Sequence, residues 1–483
     1  MPAIPKGTAV MLVEQQPRNI DPLHAADAVS QKIDNLLHAS LVRATPSMGL
    51  EPYLAESWKV RGYRDFSFTL REGLRFHDGS PLDAAAVVRA LELYRGDSPH
   101  AIALKHVRRI WAEGARHVRL ETDSPQPFLL HDFPLLKIFK RDGARIVGAG
   151  RYKVVSEKPD EIRAVAVDGA FDAVPADGFR EIVFRHVADD TTRYQRLVRG
   201  DGNVLLSALS LTKTDYLRKN PPRGLAIVDA AGVNYSYLAF NFRNPRLANL
   251  KVRQAIAHAI DVDDVIEHRI RGFGRRASGI LAPAHRDYYE PDVESYAYDA
   301  AKAERLLDEA GYPRREGGWR FPLFFKTTTD KFGNELARIV VNELRHVGID
   351  ARLDIVEPGT FFAQVNAGNF DMFHSRWIGV NSPAIYFRAF HSSQAAPKGM
   401  NRGAYSSPEL DRLLELGMNE VDDARRKGYF SKAQKLVARE LPYVSLFHWN
   451  NTFIGTDEMK HIVMYPNGDY RTLADVRLGS ATP

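Results

Sequence analysis

Apolar positions recur along the chain with two periods, and the alternation between them predicts layered α/β structure. Residues 8–14 read as a strand, followed by a turn at Pro17-Arg18-Asn19 and Asp21-Pro22. Residues 28–42 carry helical spacing at Ile33, Leu36, Leu37 and Leu41. Phe66–Leu70 alternates as a strand, and Asp83 is placed to cap a helix running to Tyr94. Leu250–His268 places Val252, Ala255, Ile256, Ala259 and Ile260 on one helical stripe. Asp261 then restarts the helix, with Asp264 at the capping-box distance.

The most regular pattern spans 321–377. A strand at 321–329 precedes a helix over Gly333–His346, whose apolar side holds Leu336, Ile339, Val340, Leu344 and Val347. Gly348 is placed as its stop. Residues 349–356 alternate strictly, Pro358 opens a second helix, and 370–377 return as a strand. This order predicts a parallel βαβαβ unit. Ligands of such sheets gather beyond the carboxyl ends of the strands, which directs attention to Lys326–Asp330 and Trp377–Tyr386.

A length of 483 residues predicts two or three domains. Repeats, low-complexity stretches and Gly/Ser linkers are absent from the sequence, so domains must be joined by short ordered crossings. The chain has no cysteine, which excludes disulfides, thiol catalysis and cysteinate metal sites. Its 66 Lys and Arg against 60 Asp and Glu leave a net charge of +6. The basic residues are scattered among acids, unlike a nucleic-acid footprint; the run Arg269, Arg271, Arg275, Arg276 reads as a solvated face. No apolar run approaches the roughly 20 residues that cross a bilayer.

Motifs for chemistry are scarce. GxSxG, HExxH and GxxxxGK[ST] are all missing, and Gly272-Phe273-Gly274 follows a helix rather than a strand. His258, His268, His374, His391 and His448 stand apart, a spacing that suits core or surface histidines better than metal ligands. No metal or cofactor is expected. Trp377, Tyr386, Phe387, Trp449 and Phe453 are candidate cleft aromatics, with core packing as the competing reading. Trp377 stands out, at a parallel strand end before a Gly/Asn/Pro loop.

Several ordered segments carry a family resemblance. They are LEPYLAESWKV (50–60), FSFTLREGLRFHDGSPLDAAAVVRAL (66–91), VGAGRYKVV (147–155), YLAFNFRNPRLANLKVRQAIAHAID (237–261), YDAAKAERLLDEAGYP (298–313) and AYSSPELDRLL (404–414). Together they resemble the family 5 extracellular solute-binding proteins, the dipeptide/oligopeptide/nickel-binding class that serves ABC importers. The resemblance implies a two-lobed α/β fold, periplasmic-binding-protein-like (Venus flytrap), with an extra inserted domain. The first lobe would comprise 1–42, 149–236 and 455–483, the inserted domain 43–148, and the second lobe 237–454. Hinge crossings would lie near Tyr237–Phe242 and His448–Thr452. FHDGSPL itself reads as turn chemistry, so His77 and Asp78 are not expected to touch ligand.

The resemblance further implies no enzymatic activity, no nucleic-acid partner, a monomer, and a membrane permease dimer as partner. It implies a periplasmic location with the secretion signal already removed, or a lipid-anchored extracellular one. One departure is informative. Peptide-binding members carry an Asp after the Trp that pairs with the ligand's ammonium terminus, whereas this chain reads Trp377-Ile378-Gly379-Val380-Asn381-Ser382-Pro383, with Val380 at that place. A buried ammonium without its carboxylate is costly. The expected ligand is therefore small and polar or anionic (peptide-like, opine-like, glycoside-like or a metal chelate); the alternatives are an ordinary dipeptide or oligopeptide binder and, after it, an enzyme or a regulator reusing the fold. Expected contacts are Trp377 as an aromatic wall, Gly379, Val380 and Asn381 from its loop, Tyr386, Lys326 and Thr328 from the first strand end, Arg376, and Gln16 from the first lobe.

Overall fold

The computed structural model describes residues 4–143, 145–459 and 461–479. The chain divides into two compact units, one formed by Met1–Ala230 with Asn451–Pro483 and the other by Ala231–Asn450. The crossings thus fall a few residues before the expected boundaries at 236/237 and 454/455.

In the first unit, strand β1 (Thr8–Val13) is buried at every position. Its side chains split between two cores, Ala9, Met11 and Val13 into one and Val10 and Leu12 into the other. Burial on both faces is why this strand is continuously apolar. Helix α1 (Ala28–Leu37) is capped by Asp27, which accepts from Val29 N and Ser30 N. It stops five residues short of the expected end at 42. A continued helix would direct Leu41 N at Leu37 O, but that carbonyl accepts from Gly150 N at 3.0 Å. A Cβ on Gly150 would lie 2.4 Å from Leu37 C, so only glycine permits the approach. Leu41 belongs to a different core.

That other core is built largely from residues 39–149. Its antiparallel sheet contains β2 (Ala55–Arg61) and β3 (Asp65–Leu70), carries α2 (Ala84–Leu93) on one face, and continues with β4 (Val107–Glu113) and β5 (His117–Thr122) in the order β2-β3-β5-β4. Asp83 caps α2 through Ala86 N at 2.7 Å, as the sequence predicts. The FHDGSPL segment is a turn: Gly79 has φ +82°, and Asp78 accepts from Ser80 N and pairs with Lys140 at 2.6 Å. The main sheet resumes with β6 (Tyr152–Lys158), β7 (Glu161–Ala166), β8 (Glu181–His186) and β9 (Val204–Leu206), ordered β6-β7-β8-β1-β9. β1 runs parallel to β8 and β9.

Strand β10 (Leu225–Phe240) carries the chain out of the first unit. In the second unit, α3 (Leu250–Ala259) buries the whole predicted stripe, and Asp261 caps the next turn through Asp264 N at 2.9 Å. The predicted βαβαβ unit then appears as β11 (Pro322–Thr328), α4 (Lys331–His346), β12 (Asp350–Val356), α5 (Pro358–Ala367) and β13 (Met372–Trp377). β11 is parallel to both β12 and β13. α4 starts two residues earlier than expected because Asp330 caps it through Gly333 N. Gly348, at φ +87°, closes the turn after it. β14 (Tyr443–Thr456) returns the chain, and its Phe453–Gly455 end pairs antiparallel with β9. Phe453 consequently sits fully buried in the first unit's core, not in a cleft.

Candidate functional site

In the second unit, β13 ends between two sets of aromatic rings because strand neighbours face opposite sides. Its register places Ser236 opposite Arg376 and Tyr235 opposite Trp377 on β10. On one side, the Arg376 guanidinium lies 5.3 Å from the Trp449 ring centre and 5.9 Å from Phe332, at the start of α4. Arg269 covers the same Phe332 ring at 4.8 Å and pairs with Glu335 at 2.5 Å. Trp449 packs edge-on against Phe332 at 5.0 Å and donates its indole N–H to Ser236 Oγ at 2.9 Å. His374 stands beside Phe332 at 6.1 Å. Burial, reinforced by the Arg376 charge, pushes its pKa down to about 3, so the ring is neutral at physiological pH. The cationic character of this face therefore comes from arginines held over rings.

On the other side, Trp377 stacks on Tyr237 at 6.4 Å, and Tyr237 stacks on Tyr443 at 4.1 Å and on Tyr235 at 5.5 Å. The Trp377 indole N–H is buried with no hydrogen-bond partner among the described residues. The loop that follows turns at Gly379, φ +66°, whose N–H donates to Asn234 Oδ1 at 3.3 Å. Val380 is 4% exposed, and its carbonyl accepts from His285 Nε2 at 2.9 Å. Where the resemblance placed a carboxylate, there is a buried isopropyl group. Asn381 is half-buried.

Other expected contacts are occupied differently. Lys326 is 2% exposed, and its ammonium is held by Asp354 on β12 and by Gln364 of α5 at 2.6 Å. Its charge is thus neutralised inside the sheet layer rather than offered outward. Thr328 Oγ1 accepts from Asp330 N, supporting the start of α4. Tyr386 is enclosed, its hydroxyl accepting from Ile280 N at 3.3 Å in a recess also lined by Tyr235, Phe390 and Tyr443. In the first unit, Gln16 is exposed and donates to Pro159 O.

Sequence reasoning missed Arg269 and Phe332. Arg269 belongs to the basic run assigned to a solvated face, yet it is ion-paired and ring-stacked, with its Nε buried. A signal did exist for Phe332, which follows the Asp330 cap at a parallel strand end.

Two α/β units joined by two strands, the second carrying rings and arginines at its parallel strand ends, have the architecture of a ligand-capturing protein. The profile of the bacterial extracellular solute-binding proteins, family 5, middle region, matches residues 49–398, and the chain belongs to that family, whose members serve ABC transporters. It is 24% identical to the oligopeptide-binding protein AppA of Bacillus subtilis, over 94% of this chain and 88% of that protein. It is also 24% identical to the glutathione-binding protein GsiB of Salmonella paratyphi A, over 92% of this chain and 90% of that one. Among solved structures, the substrate-binding protein CtaP of Listeria monocytogenes superposes with a TM-score of 0.86 at 21% identity, covering 98% of this chain and 99% of that one. No described helix is long and apolar enough to cross a membrane.

Proposed function

We propose that this protein captures a small polar or anionic ligand outside the cytoplasmic membrane and hands it to a permease dimer, without chemical turnover. The two chain crossings, at Ala230–Ala231 and Asn450–Asn451, act as the hinge for closure, and the protein works as a monomer. Trp377, Arg376 and Asn381 contact the ligand from the second unit. Related proteins are named for oligopeptides and glutathione, which supports a peptide-like ligand class.

The observation that carries the polar-ligand reading is Val380, an apolar side chain 4% exposed at the place of an ammonium-pairing acid. A free ammonium brought there would lose its water without gaining a counter-charge. The test is a mixture of short peptides offered with free or acetylated amines to immobilised protein, read by mass spectrometry. Acetylated members should be retained as well as free ones. Retention of free-amine peptides alone would return the protein to the ordinary peptide binders. Solution scattering should show compaction once a retained compound saturates the protein; an unchanged profile counts against hinge closure.

A further inference from the structure

In the first unit a lysine sits in a setting that its own structural duties do not explain. Lys32, on α1, is half-buried, and its ammonium lies 5.3 Å from the centre of the Tyr470 ring. Among the described residues no carboxylate comes within ion-pair distance of it, and no hydrogen bond is made by its Nζ. Asp469, the acid whose charge acts on it most, is committed elsewhere. Asp469 Oδ2 accepts from Asn35 Nδ2 at 2.8 Å and from Arg471 Nε at 3.0 Å, and Oδ1 accepts from Arg471 N at 2.9 Å. The neighbouring buried lysine behaves otherwise, for Lys137 donates to Asn35 Oδ1 and Pro134 O, both at 2.5 Å.

A glycine turn passes close to the Lys32 ammonium. Gly468 has φ +69°, and a Cβ there would lie 3.3 Å from Lys32 Nζ and 3.1 Å from Asn451 Oδ1. That backbone is fixed in place, since Gly468 N donates to Tyr465 O while Asn451 Nδ2 donates to Tyr465 O and Pro466 O. Burial pushes the Lys32 pKa down, opposed by the charges of Asp469 and of Glu14, the exposed residue that follows β1. β1 is parallel to β8, so Glu14 marks the carboxyl edge of the sheet, where α/β folds place ligands. A partly dehydrated, unpaired cation that rests on a ring, stays half-exposed and has a side-chain-free turn beside it is pre-set for a small oxyanion.

We propose that Lys32, laid over Tyr470 beside Gly468, is the anion-binding group of the first unit, and that the ligand presents a carboxylate or similar oxyanion to it. This rests on the polar-ligand reading above and names the group by which that ligand is gripped. Lys32 is then a specificity-determining residue: it selects for an acid terminus.

The experiment uses the whole chain. N-acetylated short peptides and small organic acids are offered as free carboxylates or as the matching carboxamides, to wild type, Lys32→Met and Lys32→Arg. Wild type should retain the free acids roughly tenfold or more over their carboxamides, and Lys32→Met should lose that preference, as expected for a charged hydrogen bond. Lys32→Arg should keep it in part. The ligand-free Lys32→Met protein should unfold at or above the wild-type midpoint; a lower midpoint assigns Lys32 to holding the C-terminal segment and overturns the proposal. Equal retention of acids and carboxamides, or a preference that survives Lys32→Met, overturns it while leaving the polar-ligand reading standing. Retention of nothing from either mixture overturns both.

Discussion

The two units hold their strand ends by opposite means. In the first, charges hold the C-terminal segment. Arg151 makes paired bonds to Asp172, both at 2.7 Å, and a third to Asp475 at 2.5 Å, while Arg43 reaches Asp172 and Glu51 at 2.6 Å each. In the second, the Tyr235, Tyr237, Tyr443 and Trp377 rings stack in series, and Arg376 and Arg269 are laid over rings. Charges fix direction and are lost when one partner goes; rings fix volume and are lost when space opens. The contrast teaches that the first unit should answer to charge deletion and the second to truncation.

The largest expected effect is in the ring stack. Tyr237 is 1% exposed, and Tyr237→Ala should cost about 4 kcal/mol in denaturant unfolding, the usual scale for deleting a buried ring. A loss below about 1 kcal/mol would break the contrast on that side. Asp172→Ala should cost about 3 kcal/mol, because it leaves Arg43 and Arg151 facing each other without their shared carboxylate. Burial raises the Asp172 pKa, but the bonds from Arg151 and Arg43 outweigh it and hold the group below its ordinary value. Its contribution is therefore present above the ordinary carboxylate range and fades as pH falls, a slope that the variant should lack.

A comparable effect sharpens the comparison within the second unit, where a half-buried carboxylate has one oxygen enclosed. Glu343 is pushed up to about 7 by burial, against bonding from Asp261 N at 3.2 Å, and its Oε2 has no partner among the described residues. The unfolded chain releases this proton near pH 4.5, so stability is lost as pH rises from there through about 7. Glu343→Gln should be more stable than wild type at pH 8 by about 3 kcal/mol and equal to it at pH 4. A difference independent of pH would assign the effect to shape. Smallest is Trp377→Ala, expected to weaken binding of a retained acetylated peptide by about 1–2 kcal/mol in calorimetry; unchanged affinity makes Trp377 a packing residue.

How much of this was legible in the sequence follows the range of the forces involved. The βαβαβ unit could be read because its alternation, its Asp330 cap and its Gly348 stop are all local. The end of α1 could not, since it depends on a carbonyl taken by Gly150, more than a hundred residues away. Likewise Lys326 looks in sequence like a strand-end charge, and only the fold brings Asp354 and Gln364 to it. The loss of an acid at Val380 was visible through the resemblance. That the valine is buried, with its carbonyl tied to His285, was not. Lys32 left no mark at all, because the ring beneath it and the glycine beside it come from the far end of the chain.

The contact between Gly150 and Leu37 has a consequence for how the molecule can be engineered. The stretch that leaves at Ala39 and returns at Gly150 carries its own core, and its two ends touch through the Ala39–Ile138 pairing and the Gly150–Leu37 bond. A segment whose entry and exit meet tolerates changes of length at its exposed loops without moving the framework that holds its ends. Its loops can therefore vary in length without redrawing the sheet to which the segment is attached.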